Sequence, residues 1–397
     1  MSMTLKLPAG DGNLQPYQLR EASPFTAQQV RPQTARIAYS AAHVVADPFV
    51  SHDPSTQSAI DWDATMAYRR YLWSLGLGVA EAMDTAQRGM GMDWPTSLEL
   101  IRRSLAVARH TPGALIASGC GTDQLAPEDA RGVDDVIRAY EEQMEAIEAL
   151  GGKLIVMASR ALARVAKSPS DYERVYDRIL SQARQPVVLH WLGDMFDPAL
   201  TGYWGTTEPD GAMDTALGII AAHADKVDGI KISLLDKQKE IAMRRRLPEG
   251  VRMYTGDDFN YPELIAGDGI GALENHRHSH ALLGIFDAIA PAAAVALGEL
   301  AAGHTERYHE ILQPTVALAR HIFGAPTRFY KTGVVFMAWL NGHQPHFTMV
   351  AGQQGARSLP HFVELFRLAD AAGLLERPEL AAARMKTLLA MNGVWDA

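Results

Sequence analysis

The chain has 397 residues, 47% of them hydrophobic and 21% charged, a globular composition with room for one large domain plus additions or for two domains. A formal net charge of -9 argues against nucleic acid or anionic membrane as the main partner, because both repel an acidic surface. A single cysteine, Cys120, excludes an intrachain disulfide framework, and no apolar run reaches membrane-spanning length or forms a secretory signal. The expectation is a cytoplasmic protein.

Residues 1–35 are rich in Gln, Pro, Ala and Gly and lack a strong period, so they read as an extension that forms a hairpin or drapes over the domain. Short apolar runs then predict strands at 36–45, 78–83, 114–119, 153–158, 186–191, 229–233, 252–255 and 282–286. Amphipathic stretches predict helices between them, at 62–75, 96–109, 130–150, 169–183, 212–224 and 237–245, with 291–302 following the last strand. Gly76, Pro112, Gly151 and Pro186 supply helix stop signals. Eight strand–helix units in about 270 residues match an α/β fold of the (β/α)8 TIM barrel type, whose usual size is about 250 residues. An open doubly wound sheet lacks its glycine-rich fingerprint after the first strand. Beyond Gly303 only helical patterns remain, at 304–323, 330–340, 360–371 and 378–391. The expected division is an extension (1–35), a barrel (36–303) and a C-terminal helical region (304–397).

In such a barrel the chemistry gathers at the C-terminal ends of the strands. Those ends carry His43, Asp84/Thr85, Cys120, Ser159/Arg160, His190, Lys231/Ser233, Gly256/Asp257/Asp258 and Asp287. Lys231 stands out, because it interrupts the apolar run Gly229-Ile230-Lys231-Ile232 on a strand buried on both faces. Desolvation lowers a lysine pKa from about 10.4, and a neutral amine attacks carbonyls. The period of two puts Gly229, Lys231 and Ser233 on one face, pointing into the barrel. The plainer alternative is a strand-end lysine that reaches solvent or pairs with Asp228 or Asp236.

These residues carry a resemblance. Gly229-Ile230-Lys231 on the sixth strand resembles the Gly-Ile-Lys of the dihydrodipicolinate synthase and N-acetylneuraminate lyase family, class I aldolases whose lysine forms a Schiff base with a 2-oxo acid. In matching order, Gly119-Cys120-Gly121 resembles the family's turn after strand three, and Thr255-Gly256-Asp257-Asp258 its Ser-Gly-Asp-Asp after strand seven. Ala288-Ile289-Ala290-Pro291 resembles the opening of its eighth helix, and Ala325-Pro326 with Lys331, Gly342 and Pro345 its C-terminal segment. More narrowly, the chain resembles a divergent dihydrodipicolinate synthase-like branch. Three motifs depart from the pattern. Met83-Asp84-Thr85-Ala86-Gln87 replaces Gly-Thr-Thr-Gly-Glu, His190-Trp191 replaces a proton-relaying tyrosine, and Ala158-Ser159-Arg160 replaces Pro-Tyr-Tyr.

The resemblance implies that Lys231 is the Schiff-base nucleophile and that no organic cofactor is needed. It also implies a small-molecule carbonyl substrate and a homodimer or homotetramer, and our reading of that substrate is a keto sugar or 2-oxo sugar acid. His190, at the tyrosine position, is the candidate base. Thr85, Gly256 and Asp258 are candidate substrate-binding residues, Asp258 also fitting a helix cap, and Arg160 could hold an acidic group. Two other readings stay open. One is a metal-dependent hydrolase or lyase using His276, His278 and His280, which fall on one side of an extended segment and are placed near the mouth of the site. The other is a non-catalytic sugar-binding barrel. Cys120 reads as a small buried apolar residue.

Overall fold

Eight parallel strands close on themselves in the computed structural model, which describes residues 4–10, 12–25 and 35–396. They are β1 (Ala38–Ala41), β2 (Gly78–Glu81), β3 (Ile116–Cys120), β4 (Leu154–Met157), β5 (Val187–Leu192), β6 (Val227–Ser233), β7 (Arg252–Thr255) and β8 (His280–Leu283). Each pairs with its neighbour in the chain, and β8 returns to β1 with Ala281 opposite Ala38. This is a (β/α)8 TIM barrel with further helices toward the C-terminus.

The expected strands fall on the observed ones, with one displacement. The eighth begins two residues early and ends at Leu283, and Ile285–Ala288 turn into a short helix that removes Asp287 from the strand end. The run Leu282–Phe286 is apolar without a period, so nothing local marks where strand gives way to helix. The helix expected over 304–323 is two, Thr305–Leu312 and Thr315–Ile322, split before Pro314, which lacks the N–H that a helix interior needs.

Two compact units make up the chain, each with its own core. One comprises Arg36–Ala42 and Gly78–Leu283 and holds all eight strands. Its inward-facing Tyr39, Ala80, Ala117, Ile155, Val188, Tyr254 and Leu282 pack into one cluster. Burial of each large side chain contributes roughly 1.5–3 kcal/mol. Gly229 has no room for more, since a Cβ there would lie 2.5 Å from the Arg252 carbonyl and 2.7 Å from the Tyr254 ring. The other unit comprises His43–Leu77, Gly284–Ala397 and the described part of Met1–Ala35. Within it, Thr4–Pro8 and Leu14–Gln18 form an antiparallel hairpin, from which Tyr17 donates to Asp370 at 2.8 Å. There too, the Asp287 carboxylate accepts from the His43 backbone N–H at 2.8 Å and from the Tyr68 hydroxyl at 3.0 Å.

Behind β7 lies a buried carboxyl. Glu240, on the helix Lys237–Arg244, accepts from Thr255 Oγ1 at 2.8 Å and Ser279 Oγ at 2.7 Å. Burial pushes its pKa up from 4.5 to about 8. Between those values the folded chain keeps a proton that the unfolded chain has lost, so stability falls as pH rises through this window. Glu240→Gln keeps both hydrogen-bonding positions and no ionisable proton. Denaturation midpoints on either side of the window should therefore vary less with pH in the variant than in the unsubstituted chain.

Candidate active site

The amine of Lys231 enters the barrel from the inward face of β6, and the residue is only 5% exposed. No described residue is in hydrogen-bond or ion-pair contact with it. The two carboxylates expected to compete for it are engaged elsewhere. Asp228 accepts from Arg252 at 2.5 Å and Tyr254 at 2.6 Å, and Asp236 caps the following helix through the N–H of Gln238. A second buried lysine, Lys331, instead donates to the Arg328 carbonyl at 3.0 Å. Burial lowers the Lys231 pKa from 10.5, and the negative charges of Asp84 and Asp258 oppose that shift.

His190 stands beside Lys231 in the β5–β6 register. Its Nε2 lies 3.2 Å from Ser233 Oγ, and its buried Nδ1 has no hydrogen-bonding partner among the described residues. Burial, and then the charge of Lys231, push this imidazole well below 6.5, so it stays neutral at physiological pH. On the other side, β7 is followed by Gly256, where a Cβ would lie 2.3 Å from Ser233 Oγ and 2.7 Å from Lys231 Cε. Only glycine leaves the lysine stem its path. After β7, Asp257 orders the turn that leads into the next helix, its Oδ1 accepting from the N–H groups of Phe259 at 2.8 Å and Asn260 at 3.1 Å. Asp258, 3% exposed, acts on Lys231 through its charge.

A cavity of about 320 Å³ has His190, Asp84, Arg88, Thr122, Met157 and Arg160 in its wall. That volume is of the size that small-molecule sites have. Asp84 opens a 3-10 turn at the end of β2, while Thr85 is buried in that turn and is not part of the wall. Arg160 starts the short helix Arg160–Val165, capped by Ser159, and donates through Nε to Asp197 at 2.5 Å. Arg88 forks onto Asp123 at 2.6 Å through Nη2 and 3.0 Å through Nε. Cys120 is fully buried and its thiol is pushed up to about 12, which fits a packing residue.

The structure thus brings Lys231, His190, Gly256 and Asp258 together and places Arg160 in the same cavity wall as His190. The histidine run is elsewhere. His276 lies in a 3-10 turn with Nε2 on the Leu247 carbonyl at 2.8 Å, and His280 begins β8 with Nδ1 accepting from the Ile37 N–H at 2.9 Å. Burial lowers His278 to about 4 and His280 to about 3. The turn breaks the alternation that would have aligned the three rings, and the run enters β8 at its N-terminal end. It does not line the cavity, and among the described residues no group of three or more His, Cys, Asp or Glu is placed to hold a metal. Asp84 and the Arg88–Asp123 pair are among the wall residues that sequence reasoning left unassigned. Asp84 was visible at a strand end beside the threonine chosen instead, whereas a pair 35 positions apart leaves no local signal.

Two substitutions probe this geometry. Gly256→Ala forces a methyl onto Lys231 and Ser233 and should lower the unfolding free energy by roughly 1–3 kcal/mol in chemical denaturation. Lys231→Met keeps the volume and removes the charge, so it should be more stable than the unsubstituted chain at neutral pH. With the folded pKa below 10.5, the unfolded amine binds the extra proton, and the stability of the lysine form rises with pH through that window. The advantage of Lys231→Met should therefore shrink as pH climbs toward 10.5.

Comparison of structures places the chain near dihydrodipicolinate synthases. The enzyme from Cyanidioschyzon merolae shares 14% identity at a TM-score of 0.62, covering 86% of this chain and 100% of its own. That from Acinetobacter baumannii shares 14% at 0.60, covering 86% and 100%. That from Bacillus anthracis shares 13% at 0.60, covering 85% and 98%. At these identities the likeness is one of fold. The sequence matches no curated protein. Residues 5–394 match the family described as "Protein of unknown function (DUF993)", and the chain belongs to that family.

Proposed function

We propose that this protein is a class I aldolase or lyase, in which Lys231 forms a Schiff base with a small oxygenated carbonyl compound, a keto sugar or sugar acid. The observation that carries the reading is the buried amine, outside any hydrogen bond or ion pair among the described residues, with a neutral imidazole beside it. The likeness in fold to dihydrodipicolinate synthases supports it, one of them described in complex with pyruvate.

In the cleavage direction the neutral amine adds to the carbonyl carbon, and loss of water leaves an iminium. Asp84 and Asp258 favour that cation by their charge. His190 takes the proton from the hydroxyl on the carbon beta to the imine carbon. The bond between the alpha and beta carbons breaks, and its electron pair neutralises the iminium to give an enamine. Burial lowers His190's basicity most, and the smaller part that comes from the neighbouring positive charge is relieved in the same step, so its basicity rises as the proton arrives. Protonation of the enamine and hydrolysis release the second product and the free amine. Gly256 keeps the lysine path open, Arg160 and Asp258 bind the substrate's polar groups, and Thr85 supports the turn carrying Asp84. Assembly as a homodimer or homotetramer is part of the proposal and is measurable by sedimentation.

Borohydride reduction in the presence of a panel of keto sugars and 2-oxo acids tests the reading. A stable mass increase is expected on Lys231 and is lost in Lys231→Met. His190→Asn should slow turnover by about 100-fold while leaving the reducible adduct intact. Turnover by Lys231→Met, or no adduct with any compound, would remove the proposal.

A further inference from the structure

The contact between His190 and Ser233 bears on how the imidazole reaches the reacting atoms. Ser233 ends β6 two residues after Lys231, so strand alternation turns both side chains into the barrel. His190 faces Lys231 across the β5–β6 pair, yet its Nε2 lies on the Ser233 hydroxyl, at 3.2 Å. Its other ring nitrogen, Nδ1, is buried, and both residues are only 2% exposed. Gly256 shows where that hydroxyl stands relative to the amine. The point a Cβ would occupy there is 2.3 Å from Ser233 Oγ and 2.7 Å from Lys231 Cε, the carbon that bears Nζ. The hydroxyl is thus a neighbour of both the imidazole and the end of the lysine. Backbone bonds hold it there. The Ser233 carbonyl accepts from the Gly193 N–H at 3.0 Å, and the Ile232 carbonyl accepts from the Gly256 N–H at 2.9 Å.

Resting on the Schiff-base reading above, we infer that Ser233 is a catalytic proton relay, its hydroxyl carrying the proton between the substrate held on Lys231 and His190. An imidazole that meets Ser233 through Nε2, and whose Nδ1 is buried, reaches the lysine end by way of that hydroxyl. In the starting state the hydroxyl donates to Nε2, which places the ring proton on Nδ1. During cleavage Oγ accepts the proton of the substrate's beta hydroxyl as its own proton passes to Nε2. The serine ends as it began, and His190 becomes an imidazolium. The electron pair left on the substrate oxygen forms the new carbonyl as the bond between the alpha and beta carbons breaks. The pair from that bond neutralises the iminium and gives the enamine. The return passage, from Nε2 to Oγ and from Oγ to the alpha carbon, protonates the enamine and restores the neutral imidazole.

A serine suits this place because a hydroxyl donates and accepts at once. It is also neutral before and after each transfer, so its burial is not penalised as that of a charged relay would be. Burial holds the imidazole neutral, which leaves it able to take the proton.

The test uses the full chain with dihydroxyacetone and pyruvate as probes. Cyanoborohydride trapping, read by peptide mass, reports the adduct on Lys231. Deuterium uptake at the carbon alpha to the carbonyl, followed by proton NMR in deuterium oxide, reports transfer through the enamine, with Lys231→Met as background. Ser233→Ala should keep trapping within about threefold and lose about 100-fold in exchange. Ser233→Thr, which keeps a hydroxyl, should recover most of that loss. The double variant Ser233→Ala/His190→Asn should be no slower than the slower single variant, because the two groups act as one unit. Exchange by Ser233→Ala at the unsubstituted rate, or equal loss of trapping and exchange, overturns the relay and leaves the Schiff-base reading standing. An adduct on Lys231 with neither probe overturns both. A second measurement needs no variant to fold. NMR of the ring nitrogens of His190 in the unsubstituted chain should find the proton on Nδ1, and a proton on Nε2 overturns the relay.

Discussion

An amine buried inside a closed barrel is costly, and much of the surrounding geometry answers to it. Taking a lysine out of water disfavours its charged form, and only nearby negative charge or hydrogen bonds can restore the balance. Here the compensation comes from the charge of Asp84 and Asp258, with no described hydrogen-bonding partner at the amine. The amine's protonation therefore answers to those opposed effects, with no described hydrogen bond to fix its position. An amine pinned to a carbonyl, as Lys331 is, lacks that freedom.

The barrel makes room for this side chain by omitting others. Gly229, two residues before Lys231, leaves space that the Tyr254 ring fills, which closes the barrel below the amine. Gly256 leaves the space through which the lysine stem passes beside Ser233. The restriction is steric at both positions, where a single methyl would lie within 2.7 Å of an aromatic ring or of the lysine itself. Support for the adjoining loop comes from farther out. Thr255 links the buried Glu240 to the N–H of Asp257, and Asp257 in turn orders the backbone that follows Asp258.

Charge pairing in the cavity wall adds a second layer. Arg88 and Arg160 would each favour an anion if left alone, but each is committed to an aspartate. Arg88 is almost wholly buried, and its multiple bonds to Asp123, Gly119 and Gln143 resist reorientation. Arg160 is about half exposed, and its pairing with Asp197 is the more readily screened by solvent and salt. Asp84, the third carboxylate of the wall, acts on Lys231 through its charge.

Strand and helix positions were legible in the sequence because apolar spacing follows the period of each element, and the inward direction of Lys231 follows from the alternation of a strand. The same rules stopped at residues 282–286, where a continuous apolar run has no period to read, and at the histidine run, where a 3-10 turn replaced the extended backbone assumed for it. The sequence by itself determined the order of the barrel strands and the lysine on the sixth. Tertiary structure alone decided that Asp84 and not Thr85 belongs to the cavity wall, that Asp257 orders the turn after β7 while Asp258 acts through its charge, and that both wall arginines are paired. Those outcomes depend on distances between segments far apart in the chain, and local periodicity carries no record of them.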